Sequence, residues 1–232
     1  MIPTAAEASP WGAQIQAVAQ RYDQEFAGQP FDLPREVEEM PIFKDWIGGT
    51  LTPRIATPFW EALKPRKGER CLDIGCGISF LIYPWREWDA LFHGHEISRV
   101  ACQALTSRGP QLNSKLFKGI KPAPAHRLDY EANRFDLAIA TGVSCYYPAD
   151  YWDAVLQQVK RVLKPGGHFL FDAINPESEI AESWAILETY LGAEVFLDSL
   201  AQWPALVKAS GGRVVSHRDY DLFRLYKVKW EG

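Results

Sequence analysis

An acidic residue and two glycines lie together after a short apolar run in the first half of the chain. Asp73 follows Cys71 and Leu72, and Gly75 and Gly77 come shortly afterwards. Glycine lets the backbone turn sharply and lets a ligand approach without interference from a Cβ atom. At the carboxyl end of the first strand of an open α/β sheet, such a turn faces the crevice in which ligands bind. The pattern therefore predicts a ligand site at this turn.

The residue types around the turn favour a cationic nucleoside over a dinucleotide. The dinucleotide motif G-x-G-x-x-G requires a third glycine, but Phe80 occupies that position, and Asp73 would lie beside the phosphates. A cationic or zwitterionic ligand suits the carboxylate of Asp73 better. Glu96 ends the next apolar run, where a carboxylate can accept two hydrogen bonds from a ribose diol. Together, Asp73, the two glycines and Glu96 predict a nucleoside ligand without a phosphate. They weigh against a nicotinamide dehydrogenase.

Short apolar runs alternate with helical patterns from Glu69 onward, and these elements would position the candidate site. Such alternation is typical of βαβ units around a parallel sheet. The predicted strands cover residues 70–74, 90–96, 116–118, 135–140 and 168–172, followed by β-rich runs at 213–217 and 223–230. Because the last two runs are close together, they favour an antiparallel hairpin at the sheet edge.

Helical patterns lie before, between and after these strands. Apolar residues at helical spacing predict helices at residues 11–27, 55–63, 150–164, 177–190 and 197–210. Pro84 falls where the helix after the first strand should run. Since proline inside a helix costs about 3 kcal/mol, we expect that helix to be short or irregular.

Four segments in register resemble the class I S-adenosylmethionine-dependent methyltransferases. These segments are residues 72–77, 94–98, 135–138 and 161–167, and the resemblance spans roughly residues 66–173. It implies a doubly wound α/β fold with a mainly parallel seven-stranded sheet, a C-terminal antiparallel hairpin, helices on both faces and an N-terminal helical cap. We expect residues 1–65 to form the cap, as part of one domain with the cofactor-binding region 66–232. A helical insertion is expected at about 177–195.

The resemblance implies S-adenosylmethionine as the cofactor and assigns contacts to it. Asp73, Gly75 and Gly77 would surround the methionine moiety, and Glu96 would hold the ribose. The expected cofactor-binding residues are Asp73, Gly75, Cys76, Gly77, Glu96, Ile97, Leu128 and Thr141. Members of this family often have an acidic residue after the third strand that contacts adenine. In this chain residues 117–120 occupy that position, and none of them is acidic. Residues 127–130 are the alternative source of adenine contacts.

The segment at residues 141–148 follows the fourth predicted strand, where members of this family place the methyl acceptor. The expected substrate-binding residues are Tyr22, Trp46, Ser144, Tyr146 and Tyr147. No residue stands out as a general base, so no catalytic residue is assigned. The predicted activity is in-line methyl transfer to a small-molecule acceptor. Two alternatives stay open: a module that binds S-adenosylmethionine or S-adenosylhomocysteine without transfer, and a protein methyltransferase.

Composition and charge narrow the choice of partners. The 232 residues carry a formal net charge of -4, and the longest basic run covers only residues 64–67, which weighs against a nucleic-acid partner. The spacing of the four cysteines and five histidines does not match a metal site. The first residues do not resemble a signal peptide, and no apolar stretch reaches the roughly 18 residues of a membrane span. We therefore expect a cytoplasmic protein with reduced cysteines, no metal and no membrane span.

Overall fold

The computed structural model describes residues 9–51, 59, 62 and 64–231, and within them seven strands form one sheet. The strands are β1 (Arg70–Ile74), β2 (Leu91–Glu96), β3 (Phe117–Pro122), β4 (Phe135–Ala140), β5 (Leu163–Ile174), β6 (Gly212–Asp219) and β7 (Phe223–Trp230). Their order across the sheet is β3-β2-β1-β4-β5-β7-β6. Strands β1 to β5 are parallel, and β7 is antiparallel to both β5 and β6. The predicted α/β fold, with its C-terminal hairpin, is confirmed.

Helices of different lengths surround the sheet. They are α1 (Gly12–Phe26), α2 (Arg35–Glu38), α3 (Pro41–Ile47), α4 (Ser79–Ile82), α5 (Trp85–Trp88), α6 (Arg99–Asn113), α7 (Ala149–Val162), α8 (Ala181–Tyr190) and α9 (Gln202–Ala209). The helix expected at residues 55–63 falls on a segment of which only Phe59 and Ala62 are described. In the described part of the chain, no helix combines the length and the apolar character needed to cross a membrane.

Helix α7 shows how the sequence pattern builds the core. Its apolar stripe is fully buried, and the Trp152 ring stacks on the Phe171 ring of β5 with centroids 5.6 Å apart. Burial of one large apolar side chain stabilises the fold by roughly 1.5–3 kcal/mol. Asp150 lies in the first turn, and Lys160 and Arg161 lie in the last, so both ends complement the helix dipole.

Pro84 interrupts the helical segment after β1, as expected. Helix α4 ends at Ile82, and α5 begins only at Trp85. The backbone of Tyr83 is extended, with φ -75° and ψ 149°, which is the conformation favoured before a proline. The segment is therefore two short helices instead of one continuous one.

Strand β3 extends beyond its predicted bounds, and this corrects one expectation. Residues 117–120 belong to the strand and do not follow it. The pairing of β3 with β2 contains an irregularity between Phe92 and Gly94, and Gly119 has a φ of 112°. This irregularity and the lysines of β3 break the alternation of apolar and polar residues by which a strand is recognised in a sequence. The segment that follows the third strand begins at Ala123, which is where adenine contacts must be sought.

Candidate functional site

A cavity of about 250 Å³ lies at the carboxyl ends of the parallel strands. Its wall includes Gly75 after β1, Glu96 at the end of β2, Ala123 after β3 and Thr141 after β4. Ligands of open α/β sheets bind at this edge, because loops from neighbouring strands converge there. The volume is close to the lower end of small-molecule sites, roughly 300–1,000 Å³.

The turn after β1 has a backbone that requires glycine. Gly75 and Gly77 have φ values of 66° and 45°. A Cβ atom on Gly75 would lie 2.5 Å from Cγ2 of Val143, and one on Gly77 would lie 3.1 Å from Cζ of Phe26. The amide of Gly75 donates to the carbonyl oxygen of His95 at 2.8 Å, which fixes the turn against β2. The bare backbone of this turn therefore lines the cavity without side-chain obstruction.

The Glu96 carboxylate is buried, and backbone amides hold it in place. Oε2 accepts a hydrogen bond from the amide of Gly77 at 2.7 Å. Oε1 accepts from the amides of Ile97 and Ser98 at 2.7 and 2.8 Å. A carboxylate offers about four acceptor positions, so roughly one is left, on Oε2, for a ligand hydroxyl. Burial raises the pKa of Glu96, while these amides lower it.

The Asp73 carboxylate is also buried and lines the same cavity, with an exposed fraction of 2%. It accepts a hydrogen bond from the hydroxyl of Ser79. In the described part of the chain, no cationic side chain forms an ion pair with it. Burial raises the pKa of Asp73 to about 7, and the nearby charge of Glu96 adds to this increase. A buried carboxylate without a cation is unfavourable, and a cationic ligand group would compensate it.

Helix α1 covers the cavity and is held on both sides. On one side, Asp23 accepts hydrogen bonds from the hydroxyl of Ser98 at 2.7 Å and from the amide of Val100 at 3.1 Å. On the other side, Arg21 donates to Glu188 of α8 from Nε at 2.9 Å and from Nη2 at 3.1 Å. These contacts place the side chains of α1 opposite the glycine turn.

A second polar group lies at the end of the cavity formed by α1 and α8. The hydroxyl of Tyr146 donates to Oε2 of Glu188 at 2.8 Å, and the hydroxyls of Tyr22 and Tyr146 are 2.9 Å apart. The rest of the cavity lining is largely apolar and includes Val18, Phe26, Trp46, Leu51, Val143 and Trp184. An apolar pocket with a few fixed polar groups is the usual form of a small-molecule site.

The cavity brings together most residues that the sequence singled out. Seven expected cofactor-binding residues line it: Asp73, Gly75, Cys76, Gly77, Glu96, Ile97 and Thr141. Four expected substrate-binding residues also line it: Tyr22, Trp46, Tyr146 and Tyr147.

Two expected site residues lie outside the lining. Leu128 is buried, and its carbonyl oxygen accepts a hydrogen bond from Arg161. Ser144 is buried, and its carbonyl oxygen accepts from the indole nitrogen of Trp152 at 3.0 Å. Both residues hold together the loops that surround the cavity.

The comparisons with known proteins agree with this architecture. Residues 72–171 match the family model described as "Methyltransferase domain". The chain is 12% identical to geranyl diphosphate C-methyltransferase from Streptomyces coelicolor A3(2), solved with Mg²⁺, geranyl diphosphate and S-adenosyl-L-homocysteine. That likeness has a TM-score of 0.68 and covers 97% of this chain and 99% of the other. Residues 72–171 thus match a methyltransferase domain, and the chain as a whole shares its fold with a methyltransferase, in agreement with the resemblance found in the sequence.

Curated relatives match over shorter stretches. The biotin biosynthesis bifunctional protein BioHC from Saccharophagus degradans is 26% identical over 132 residues, which cover 56% of this chain and 23% of that protein. The sterol 4-C-methyltransferase strm-1 from Caenorhabditis elegans is 29% identical over 110 residues, which cover 47% of this chain and 32% of that protein. The chain thus spans less than a third of the length of these relatives.

Proposed function

We propose that this chain is an S-adenosylmethionine-dependent methyltransferase that acts on a small-molecule acceptor. One observation carries the proposal. Two buried carboxylates, Asp73 and Glu96, line the same cavity beside a turn that only glycine can form. Asp73 has no cationic partner among the described residues, and Glu96 has about one acceptor position left. A ligand with an amino group and a ribose satisfies both.

The residues of the cavity fit this cofactor. Asp73 would bind its amino group, the backbone at Gly75 and Gly77 would pass close to its methionine moiety, and Oε2 of Glu96 would accept from a ribose hydroxyl. When bound, the cofactor supplies a methyl group already activated on a sulfonium. The protein then has to align an acceptor with that methyl group and to exclude water.

The end of the cavity at α1 and α8 suits an acceptor that is mainly apolar. Its aromatic lining and its fixed polar groups support this view. A curated relative also points to a small, mainly apolar acceptor, since its printed name includes a sterol. We infer that the segment up to residue 65 is a cap belonging to this domain, and that the insertion at about 177–195 contributes α8 to the acceptor site.

The proposed compartment is the cytoplasm, where thiols stay reduced. All four cysteines are buried free thiols. A chain of this length does not need disulfides to stabilise its core.

Methyl transfer can be tested directly with a labelled cofactor. The chain is incubated with S-adenosylmethionine carrying a labelled methyl group and with a panel of apolar alcohols, phenols, amines and carboxylic acids. We expect label in at least one acceptor with the wild-type chain and none with Asp73→Asn. Binding of S-adenosylhomocysteine without transfer to any acceptor would favour a binding module. The absence of binding would refute the proposal.

A further inference from the structure

A chain of hydrogen bonds connects three side chains in the wall of the cavity, Tyr22, Tyr146 and Glu188. We propose that Tyr22, Tyr146 and Glu188 form a relay that removes the proton from a hydroxyl group of the acceptor during methyl transfer. This inference rests on the proposed function and names the acceptor class of the same site. It also supplies the base that no single residue of the sequence revealed.

The hydrogen-bond geometry fixes the direction of the relay. The hydroxyl of Tyr146 donates its one proton to Oε2 of Glu188, at 2.8 Å. Its oxygen must therefore accept from the hydroxyl of Tyr22, which lies 2.9 Å away. The oxygen of Tyr22 is then left as the acceptor at the outer end of the chain. Protons can pass only from Tyr22 towards Glu188.

All three side chains line the cavity, and Tyr22 is the most exposed of them. Tyr22 is half-buried and lines the cavity, so an acceptor hydroxyl can reach it. Tyr146 and Glu188 are each 3% exposed, so bulk water does not compete for the proton at the inner end. Burial is the largest cause of the raised pKa of both tyrosines. Both phenols therefore stay protonated and pass a proton on without ionising first.

Arg21 pairs with the terminal carboxylate and holds it in one orientation. Its Nε and Nη2 atoms donate to the two oxygens of Glu188 at 2.9 and 3.1 Å. A bidentate pair of this kind fixes the plane of the carboxylate. Oε2 of Glu188 thus stays directed at Tyr146.

The charge at this end of the cavity favours a neutral acceptor. One cation, Arg21, faces two carboxylates, Glu25 and Glu188, and Glu25 also pairs with Arg21. The sum of these three charges is negative, so an anionic acceptor is repelled. A carboxylate acceptor is already ionised at neutral pH and needs no base. A hydroxyl is neutral and must lose its proton as it reacts, which is the step that the relay provides.

The atoms and electrons of the step balance. A lone pair of the acceptor oxygen forms the bond to the methyl carbon, and the carbon–sulfur bond breaks with its electron pair left on sulfur. The acceptor proton passes to Tyr22 as the proton of Tyr22 passes to Tyr146. The proton of Tyr146 passes to the carboxylate of Glu188, which becomes neutral.

The test compares Tyr146→Phe and Glu188→Gln with matched controls on helix α8. Tyr190→Phe and Glu182→Gln are the controls, because both residues are exposed on the helix that carries Glu188. S-adenosylhomocysteine binding, measured by titration calorimetry, reports whether each variant is folded and retains the cofactor site. Transfer of labelled methyl groups to matched alcohols, phenols and carboxylic acids is then measured from pH 6 to pH 9.

We expect transfer to hydroxyl acceptors and a loss of about 100- to 10,000-fold in Tyr146→Phe at pH 7, as for removal of a general base. In this variant the rate should rise with pH, since hydroxide must take over the role of the relay, whereas the controls should behave like the wild type. S-adenosylhomocysteine binding should be unchanged. A purely structural role would lower the rate equally at every pH.

Three results would overturn the relay. These are transfer to carboxylic acids only, a Tyr146→Phe rate equal to that of the wild type, and a loss that does not depend on pH. Intact S-adenosylhomocysteine binding with no transfer to any hydroxyl would also overturn the relay alone. The absence of S-adenosylhomocysteine binding in the wild type would overturn the proposed function, and the relay with it.

Discussion

Replacing Asp73 with asparagine should stabilise the free protein while abolishing cofactor binding. Burial raises the pKa of Asp73 from 3.8 to about 7 in the folded chain. This increase in the pKa of Asp73 lowers the free energy of unfolding by about 4 kcal/mol at most, at a pH where the carboxyl is ionised in the folded chain. The pKa of this carboxyl is higher in the folded chain than in the unfolded chain. Below about pH 4 the carboxyl is protonated in both, so it imposes no penalty on the stability of the fold. The penalty grows as pH rises and is complete above about 7.

The assay is urea denaturation of the wild type and of Asp73→Asn at pH 5 and at pH 8. At pH 8 we expect the variant to be more stable by about 1–4 kcal/mol, since water in the cavity reduces the full penalty. At pH 5 the gain should be less than half as large, because that pH lies only about one unit above the pKa of 3.8 at which the penalty begins. Titration calorimetry should detect no S-adenosylhomocysteine binding by the variant.

Asp136 is the matched control. It also lies on a sheet strand, but Nζ of Lys164 is 2.6 Å from its carboxylate. Asp136→Asn should therefore lose a little stability instead of gaining it, and should bind S-adenosylhomocysteine normally. The reasoning is refuted if Asp73→Asn is destabilised equally at both pH values. That result would mean that the carboxylate is already compensated in the free protein.

Three further outcomes are expected. Gly75→Ala should lower the free energy of unfolding by about 1–2 kcal/mol, because alanine is strained in a left-handed backbone conformation. The contact of its Cβ atom with Val143 should lower this free energy further. Urea denaturation measures the loss, and unchanged stability would contradict this geometry. Arg21→Met leaves the Glu188 carboxylate buried without its cation and should lower the free energy of unfolding by about 3–5 kcal/mol in the same assay. A loss near zero would contradict this expectation. S-adenosylhomocysteine affinity, measured by calorimetry, should rise by up to tenfold per pH unit below about pH 7 as Asp73 ionises, and a flat profile would count against Asp73 as the ligand.

The sequence predicted the parts of the molecule that depend on local pattern. The glycine turn and Glu96 were found because a conformational requirement and a charge occur at the ends of apolar runs. Helix α7 was found because its stripe and its terminal charges follow helical spacing. These features need only neighbouring residues to be recognised.

Features that depend on contacts between distant residues could not be predicted. Arg21 and Glu188 are 167 positions apart, and nothing in either segment indicates that the two pair. A buried arginine on an amphipathic helix has the same local pattern as an exposed one. The same limit applies to Leu128, whose carbonyl oxygen accepts a hydrogen bond from Arg161, 33 positions away.

Strand β3 was only partly predicted for a different reason. Its irregular pairing with β2 and its lysines hide the alternation of buried and exposed positions. The strand therefore extends to Pro122, and the loop after it starts later than the sequence indicated.

Thermal unfolding with added ligands shows whether the cavity binds S-adenosylmethionine. The wild type and Glu96→Ala are each heated alone and with S-adenosylhomocysteine, S-adenosylmethionine or NAD. A ligand at about 100 times its Kd stabilises by about 2.7 kcal/mol, which raises the Tm by about 5–10 °C for a chain of this size. We expect such a rise with the two adenosyl ligands, none with NAD, and none in a folded Glu96→Ala variant. No rise with either adenosyl ligand at millimolar concentration would contradict it.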